Sequence, residues 1–466
     1  MHLSAGWNAP GNREQMGKYF GTDGVRGVGA QDLTNQLAYA LGRYGAYVLT
    51  KEHMGDRPKI LVAKDTRISS DMLEASLSAG AMSVGVDVVL GGVLPTPAVA
   101  FLVRENGFDA GIVISASHNP FEFNGIKFFN RDGYKLPDEV EEEIESYIDG
   151  DKEIVETFTH ERLGRYQADE LLTSSYEKHL WRSLSEDLSG MTIALDCANG
   201  ATSAMAAEVF QFAGARVEVI HDSPDGVNIN DNCGSTHMGD LTKLVVEKGY
   251  DLGLAFDGDG DRCLAVDETG EIFDGDRIMG LIGYQMKQDS LLNQDTIVAT
   301  VMSNIGFHSF AKKHGISVLQ AAVGDRYVLE EMRSGNYSLG GEQSGHLIFS
   351  LHSTTGDGLL TGLLLCEAVK KSKKPLSFWR EEIPRYPQVI VNARVPEEKK
   401  KAYLEDDVIR NAIEAFEREF SQDGRVLIRP SGTEPLLRVM LEGKDEALLQ
   451  QKAQELAALV EERLNQ

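Results

Sequence analysis

The sequence predicts an α/β protein built from several domains. Its 466 residues exceed what one hydrophobic core organises, so three or four domains are expected. Short apolar runs alternate with segments of helical periodicity, the pattern of a largely parallel sheet covered by helices. That pattern restarts near residue 190 and near residue 296, and the texture changes from about residue 385. Three α/β units and a smaller α+β unit account for this order, and internal duplication would explain the three.

Residues 1–15, MHLSAGWNAPGNREQ, are Gly/Asn/Pro-rich and lack periodicity. They read as a tail, an upstream start or added segment, ahead of a domain beginning at Met16. Phe20–Gly27 (FGTDGVRG) reads as a glycine-rich loop, in which Arg26 suits either a phosphate clamp or a plain surface turn. Thr34 is placed to cap a helix through Leu37, Leu41, Tyr44 and Val48. Lys59–Ala63 reads as a strand, followed by Lys64-Asp65-Thr66-Arg67. A second helix carries Met72, Leu73, Leu77, Ala81 and Val84, and Val86–Leu90 is the next strand.

Ala110–Ile114 is an apolar run that reads as a buried strand. It ends in Ser115-Ala116-Ser117-His118-Asn119-Pro120. Two serines beside a histidine fit a nucleophile with its base, and they fit equally an ordinary polar turn. Asn124–Phe129 follows, with Lys127 between apolar neighbours as either a snorkelling surface lysine or a functional one. The acidic run Glu139–Glu145 reads as a solvated helix face.

The second unit begins with the strand Met191–Asp196 and the turn Cys197–Gly200. A helix through Met205 and Val209 and strands at Arg216–Ile220 and Asp251–Phe256 follow. The last strand runs into Asp257-Gly258-Asp259-Gly260-Asp261-Arg262. The third unit has a β-rich run at Thr296–Met302, a helix near Ile305–His314, a strand at Ile316–Gln320 and a loop Val323-Gly324-Asp325-Arg326. Gly341-Glu342-Gln343-Ser344-Gly345-His346 precedes an apolar helix opened by Asp357-Gly358. Beyond a hinge-like boundary at Pro384–Pro387, charged helical stretches surround one strand-like run, Val426–Ile428. That run leads into Arg429-Pro430-Ser431-Gly432-Thr433, with Leu437–Met440 beyond. Asp445–Leu464 reads as an amphipathic helix.

Composition narrows the function. Net charge is −26, which argues against nucleic acid or an anionic membrane as the main partner. A small anionic substrate remains compatible, provided local Arg, Lys or a metal offsets the field. No apolar segment is long enough to span a bilayer, and no signal-peptide pattern opens the chain. The four cysteines (Cys197, Cys233, Cys263, Cys366) are scattered and read as free thiols of a cytoplasmic protein.

Three motifs carry further chemistry. Asp257, Asp259 and Asp261 crowd three carboxylates onto one loop, which suits a divalent cation that relieves their repulsion, a non-metal acidic turn being the alternative. An EF-hand is excluded because its sixth position is Arg262 and its flanks read as strands. Arg429, Ser431, Gly432 and Thr433, with Arg438 beyond, combine guanidinium forks, hydroxyls and a glycine suited to phosphate, although Pro-Ser-Gly-Thr is also an ordinary turn. Glu342, Ser344 and His346 offer groups that hydrogen-bond vicinal hydroxyls, although a structural loop explains them equally.

Taken in order, the Ser-His-Asn-Pro loop, DGDGDR, GEQSGH and RPSGTEP make the chain similar to the α-D-phosphohexomutase family, from Met16 nearly to its end. YFGTDGVRG, ISASHNP, VGDRYV and GEQSGH are most similar to members acting on glucosamine phosphate. The resemblance implies four domains around a central cleft: three related α/β domains with mixed sheets (16–167, 168–268, 269–384) and a mobile α+β domain (385–466). It implies that Ser117 carries a phosphoryl group, with His118 beside it. One Mg²⁺ per subunit is implied on Asp257, Asp259, Asp261 and the phosphoserine. Arg26, Lys127 and Arg262 are implied around the reacting phosphate. Glu342, Ser344 and His346 would read the sugar, and Arg429, Ser431, Gly432, Thr433 and Arg438 the distal phosphate.

The implied reaction interconverts glucosamine 6-phosphate and glucosamine 1-phosphate through a 1,6-bisphosphate, feeding UDP-N-acetylglucosamine synthesis for the bacterial envelope. A hexosamine or glucose 1,6-bisphosphate is the implied activator and a homodimer the implied assembly. Some relatives carry a histidine where this chain has Asp325, so the general acid/base falls to Lys127 first and Asp325 second. Lys127 would need a depressed pKa for that work. The alternatives are glucose or mannose phosphate as substrate, a metal phosphatase, or a non-catalytic sugar-phosphate-binding protein.

Overall fold

The computed structural model describes residues 17–21, 23–53, 57–169, 171–420, 424–431 and 435–465. The tail at 1–15, Gly432 and Thr433 lie outside the described residues. The chain divides into two compact units. One runs up to Ile272 and includes His346–Lys371; the other holds Phe273–Gly345 and the chain from Ser372 onward.

The first unit opens with a seven-stranded sheet. Its strands are β1 (Phe20–Gly21), β2 (Gly24–Val28), β3 (Lys59–Lys64), β4 (Asp87–Val93), β5 (Ala110–Ile114), β6 (Phe123–Asn130) and β7 (Tyr166–Ala168). Their order is β1-β2-β6-β5-β3-β4-β7. β5, β3, β4 and β7 pair in parallel, whereas β6, β2 and β1 are antiparallel. The sheet is therefore mixed, where helix–strand alternation predicts a largely parallel one. The segment between β5 and β6 is too short for a crossover helix, so the chain doubles straight back. FGTDGVRG is likewise no free loop: it forms the β1–β2 hairpin.

The helix Asn35–Thr50 starts as predicted, with Thr34 Oγ1 accepting the Leu37 N–H. Its Leu41 and Val48 are buried in the core beside β3 and β5 residues. It packs against the helix Ile68–Met82 at Gly42, where a Cβ would stand 2.0 Å from the Leu77 carbonyl oxygen. Only glycine permits that approach. The acidic helix Asp138–Ile148 does more than face solvent. Glu145 accepts the backbone N–H groups of Lys18, Tyr19 and Phe20 and so anchors the strand that opens the sheet.

The next sheet has β8 (Thr192–Asp196), β9 (Arg216–Ile220), β10 (Leu252–Phe256), β11 (Cys263–Asp267) and β12 (Ile272–Phe273), in the order β12-β11-β10-β8-β9. β8, β9 and β10 are parallel, and β10 and β11 form an antiparallel hairpin. The three aspartates occupy its turn, between strands and not helices.

In the second unit, β13 (Thr296–Thr300) pairs in parallel with β14 (Ser317–Ala321) and β15 (Leu339–Gly341). Val323–Arg326 is only partly loop, because a helix already begins at Asp325. The chain returns to the first unit at β16 (Leu347–Phe349) and enters the helix Gly358–Ser372. Glu367 on that helix accepts the Ser185 and Glu186 N–H groups.

The C-terminal part is an antiparallel sheet of β17 (Gln388–Arg394), β18 (Gly424–Pro430) and β19 (Leu436–Gly443), ordered β17-β19-β18. Its apolar residues share a core with the helices Asp407–Phe420 and Glu446–Leu464, the second capped by Asp445. The structure has three strands where one strand-like run, Val426–Ile428, is expected. β17 holds a run of the same length, Val389-Ile390-Val391, of which only Val389 is buried, and Ala393 is its other buried residue. Among the described residues no helix is long and apolar enough to cross a membrane. All four cysteines are buried and free.

Candidate active site

The Ser115–Pro120 turn leaves the carboxyl end of β5, a buried interior strand of the sheet. Ser117 has a left-handed backbone (φ 53°) and is 2 % exposed. Such a conformation is costly for a serine and persists only where neighbours hold it. Ser115 Oγ accepts the Ser117 N–H at 3.0 Å and donates to Asp65 Oδ2 at 2.6 Å. Arg67 donates to the carbonyl oxygens of Ser117, Asn119 and Pro120, and its Nε pairs with Asp65 Oδ2 at 2.9 Å. Asn230 Nδ2 donates to the Ser117 and Asn119 carbonyls. The strain is thus held by a buried guanidinium, a carboxylate and an amide.

Ser117 Oγ donates to Asp257 Oδ2 at 2.6 Å. His118 Nδ1 lies farther away, at 3.3 Å. Burial, then the Arg262 and Arg26 charges, lower the His118 pKa, which favours the neutral imidazole. Asp257, Asp259 and Asp261 are all buried, and each offers an oxygen within 4.8 Å of the others. Burial, then Asp261 and Asp259, push the Asp257 carboxyl well above its usual range. Oδ1 of Asp259 and Oδ1 of Asp261 are buried without a hydrogen-bond partner among the described residues. Clustered, under-satisfied hard oxygens fit a divalent cation.

Lys127 is 1 % exposed, so it is no snorkelling surface residue. Its Nζ lies 2.7 Å from Asp259 Oδ2, 3.1 Å from Asp23 Oδ2 and 3.9 Å from Asp261 Oδ2. Burial alone would lower its pKa, but these three carboxylates outweigh burial and raise it. Two of the three, Asp259 and Asp261, belong to the turn that fits a divalent cation, so this rise describes the metal-free site. Arg26 and Lys135 also pair with Asp23. Burial disfavours the Asp23 carboxylate, yet Lys127, Lys135 and Arg26 together hold its pKa well below the ordinary range. The Arg262 N–H donates to Asp257 Oδ1 at 3.1 Å. Thr96 Oγ1 donates to Asp259 Oδ2 at 2.6 Å.

The GEQSGH stretch is divided. His346 belongs to the first unit, with Nδ1 3.5 Å from Asp261 Oδ2. Its Nε2 accepts the Gly356 N–H, so Nδ1 carries the proton that faces Asp261. Glu342 and Ser344 belong to the second unit. Glu342 Oε1 accepts the Gly324 N–H at 3.2 Å, just before the helix that begins at Asp325.

In the C-terminal sheet, Arg429 and Arg438 sit directly opposite each other on β18 and β19. Like charges so paired are unfavourable without an anion. Burial, then Arg438, lower the Arg429 pKa. Ser431 is buried, and its Oγ has no hydrogen-bond partner among the described residues. Lys400 Nζ donates to the Ser431 carbonyl at 2.6 Å.

Sequence reasoning missed Asp65, Arg67, Asn230, Asp23 and Lys400. The one local signal was a pair of opposite charges directly after β3, at the carboxyl end of a parallel strand where ligands gather.

The four domain families of phosphoglucomutase/phosphomannomutase match in chain order: domain I over 17–154, domain II over 174–270, domain III over 274–386 and the C-terminal domain over 390–459. The chain is 55% identical over 449 residues to a phosphoglucosamine mutase of Acetivibrio thermocellus, covering 96% of this chain and 100% of that one. It is 54% identical over 450 residues to one of Clostridium acetobutylicum, covering 97% and 100%. Among solved structures, a phosphoglucomutase/phosphomannomutase family protein of Burkholderia thailandensis matches with a TM-score of 0.77 at 23% identity, covering 95% of this chain and 96% of that one. With all four domains matched and identity above one half along nearly its whole length, the chain belongs to the α-D-phosphohexomutase family.

Proposed function

We propose that the protein interconverts glucosamine 6-phosphate and glucosamine 1-phosphate, the activity for which its curated relatives are named, with Ser117 as the phosphoryl carrier. The observation that carries this reading is Ser117 Oγ against Asp257 in the three-aspartate turn, with Lys127 and Arg262 close by. It occurs in a chain 53–55% identical to phosphoglucosamine mutases end to end.

Phosphoryl transfer needs alignment and neutralisation of charge more than covalent help. Asp257, Asp259 and Asp261 would hold Mg²⁺, which when bound supplies Lewis-acid neutralisation of phosphoryl oxygens. Lys127, paired with Asp23 outside the metal turn, acts as a fixed cation and not as the proton acceptor. Arg26 and Arg262 add guanidinium donors. In the first transfer the bond between phosphorus and Ser117 Oγ breaks, and a bond to the anomeric oxygen forms. The anomeric hydroxyl loses a proton and Ser117 Oγ gains one. The resulting hydroxyl donates to Asp257 Oδ2, the contact observed here.

Glu342, Ser344 and His346 read sugar hydroxyls, and Arg429, Ser431, Gly432, Thr433 and Arg438 grip the distal phosphate. With one carrier serine and one distal cluster, the 1,6-bisphosphate must turn round. The second transfer returns a phosphoryl group to Ser117 and releases glucosamine 1-phosphate. A trace of hexosamine or glucose 1,6-bisphosphate charges the serine at the outset. Four buried thiols without a disulfide suit work in the cytoplasm.

A coupled mutase assay on glucosamine, glucose and mannose 6-phosphates tests this. The highest kcat/KM on glucosamine 6-phosphate is expected. A preference for glucose or mannose phosphate moves the assignment to another branch. Inorganic phosphate as the product makes the protein a phosphatase, and binding without turnover makes it a sugar-phosphate-binding protein.

A further inference from the structure

The first turn of the helix Gly275–Gln288 lies between two segments of the second unit that the proposed reaction uses. On one side is the sugar loop. The Gly275 N–H donates to the Gln343 carbonyl at 3.0 Å, and Gln343 Nε2 donates to Asp276 Oδ2 at 3.1 Å. Packing is so close that a Cβ at Gly275 would stand 2.2 Å from the Glu342 carbonyl oxygen. Gln343 is thus turned inward between Glu342 and Ser344.

On the other side is the segment 383–387, which leads into the C-terminal domain. Arg277 Nε donates to the Ile383 carbonyl at 3.1 Å. The same Asp276 Oδ2 accepts the Asn304 N–H at 2.7 Å. The Asn304 side chain then donates to the Tyr386 carbonyl at 2.9 Å and accepts the Tyr386 N–H at 3.0 Å. One residue on, the Ile305 N–H donates to Glu442 Oε1 at 2.9 Å. Glu442 lies on β19, the strand that carries Arg438, and pairs with Arg425 at 2.7 Å. Asp276, Asn304 and Glu442 are all at most 2 % exposed.

We propose that Asp276 is a positioning residue that couples the sugar loop to the linker of the C-terminal domain, through Gln343 on one side and Asn304 on the other. One buried carboxylate oxygen accepts from both sides, so displacement of either donor disturbs the bond to the other. The linker cannot tilt without moving Asn304, and Asn304 cannot move without loosening Gln343. Recognition of the sugar hydroxyls and the grip on the distal phosphate thereby depend on each other. The inference rests on the proposed function for the roles of the two clusters.

A double-mutant cycle tests it on the full-length protein with Mg²⁺. Gln343→Met removes the bond to Asp276 while keeping side-chain length. Asn304→Ser keeps a helix-capping hydroxyl but loses the bonds to Tyr386. Each single change is expected to raise KM for glucosamine 6-phosphate by roughly three- to tenfold, the worth of a buried hydrogen bond, with kcat far less affected. The double variant is expected to resemble the worse single one, because both act through Asp276. Multiplicative effects in the double variant, or an unchanged KM for Asn304→Ser, overturn the coupling. Ser344→Ala separates the layers. If it raises KM while the cycle is multiplicative, only the coupling fails. If it leaves KM unchanged, the sugar-loop assignment beneath the coupling fails.

Discussion

Ser117 Oγ donates to Asp257 Oδ2 at 2.6 Å across 140 residues of sequence. The contact joins the turn after β5 to the turn between β10 and β11. It brings the proposed carrier hydroxyl against the carboxylates with the greatest need of a cation.

Because Asp257 is destabilised by burial and by Asp261 and Asp259, removal of its charge stabilises the metal-free fold. Asp257→Asn is expected to raise the melting temperature in EDTA by about 2–4 °C. It also abolishes the stabilisation that Mg²⁺ gives the parent and lowers kcat by at least ~100-fold. Calorimetric scans with EDTA and with Mg²⁺, beside the coupled assay, read all three. An Asn variant less stable than the parent in EDTA contradicts the electrostatic account.

Lys127 acts by its charge. Lys127→Arg keeps the charge but cannot accept a proton at working pH. It is expected to retain roughly tenfold or more of the turnover left in Lys127→Met. Equal loss in the two variants, with both folded by circular dichroism, contradicts a charge role.

Arg67 holds three carbonyls of the Ser117 turn and pairs with Asp65, both side chains fully buried. Arg67→Met leaves Asp65 as an uncompensated buried charge, and a loss of about 3–5 kcal/mol in unfolding free energy is expected. Urea denaturation followed by tryptophan fluorescence measures it. A loss below ~1 kcal/mol shows that the pair does not hold the turn.

Burial, then Asp274, push the Asp276 carboxyl up to about 7. Its folded pKa therefore exceeds its unfolded value, and the folded protein binds more protons between the two. The linkage relation then gives a stability contribution that falls as pH rises from about 4 to 7 and is level above. The unfolding midpoint of Asp276→Asn, minus that of the parent, should rise across this window and flatten beyond it. A difference independent of pH contradicts the assignment.

The local parts of this arrangement were legible in the sequence. Thr34 with its apolar stripe marks a capped helix, Ala110–Ile114 a buried strand, and DGDGDR a crowded carboxylate turn between strands. What each carried alone was ambiguous. Ser115–Pro120 read as a turn or as a nucleophile with its base, and the structure gives Ser117 a different first partner, Asp257. Asp65 and Arg67 showed as opposite charges two residues apart, but the hold on the Ser117 turn did not, because Arg67 and Asn230 reach backbone carbonyls 50 and 113 residues away. Carbonyls leave no trace in residue identity. Lys127 was ambiguous because its burial depends on Asp23, Asp259 and Asp261 arriving from two other segments. β17 was legible in Val389-Ile390-Val391, a run matching Val426–Ile428 in length and character, and was missed.

The central claim is that Ser117 carries the phosphoryl group. Intact-protein mass with phosphosite mapping, after incubation with Mg²⁺ and glucose 1,6-bisphosphate, tests it most directly alongside the mutase assay. One phosphoryl group on Ser117 is expected in the parent. Neither the phosphoryl group nor turnover is expected in Ser117→Ala. A Ser117→Ala protein with full mutase activity, or a phosphoryl group mapped to another residue, would contradict the account.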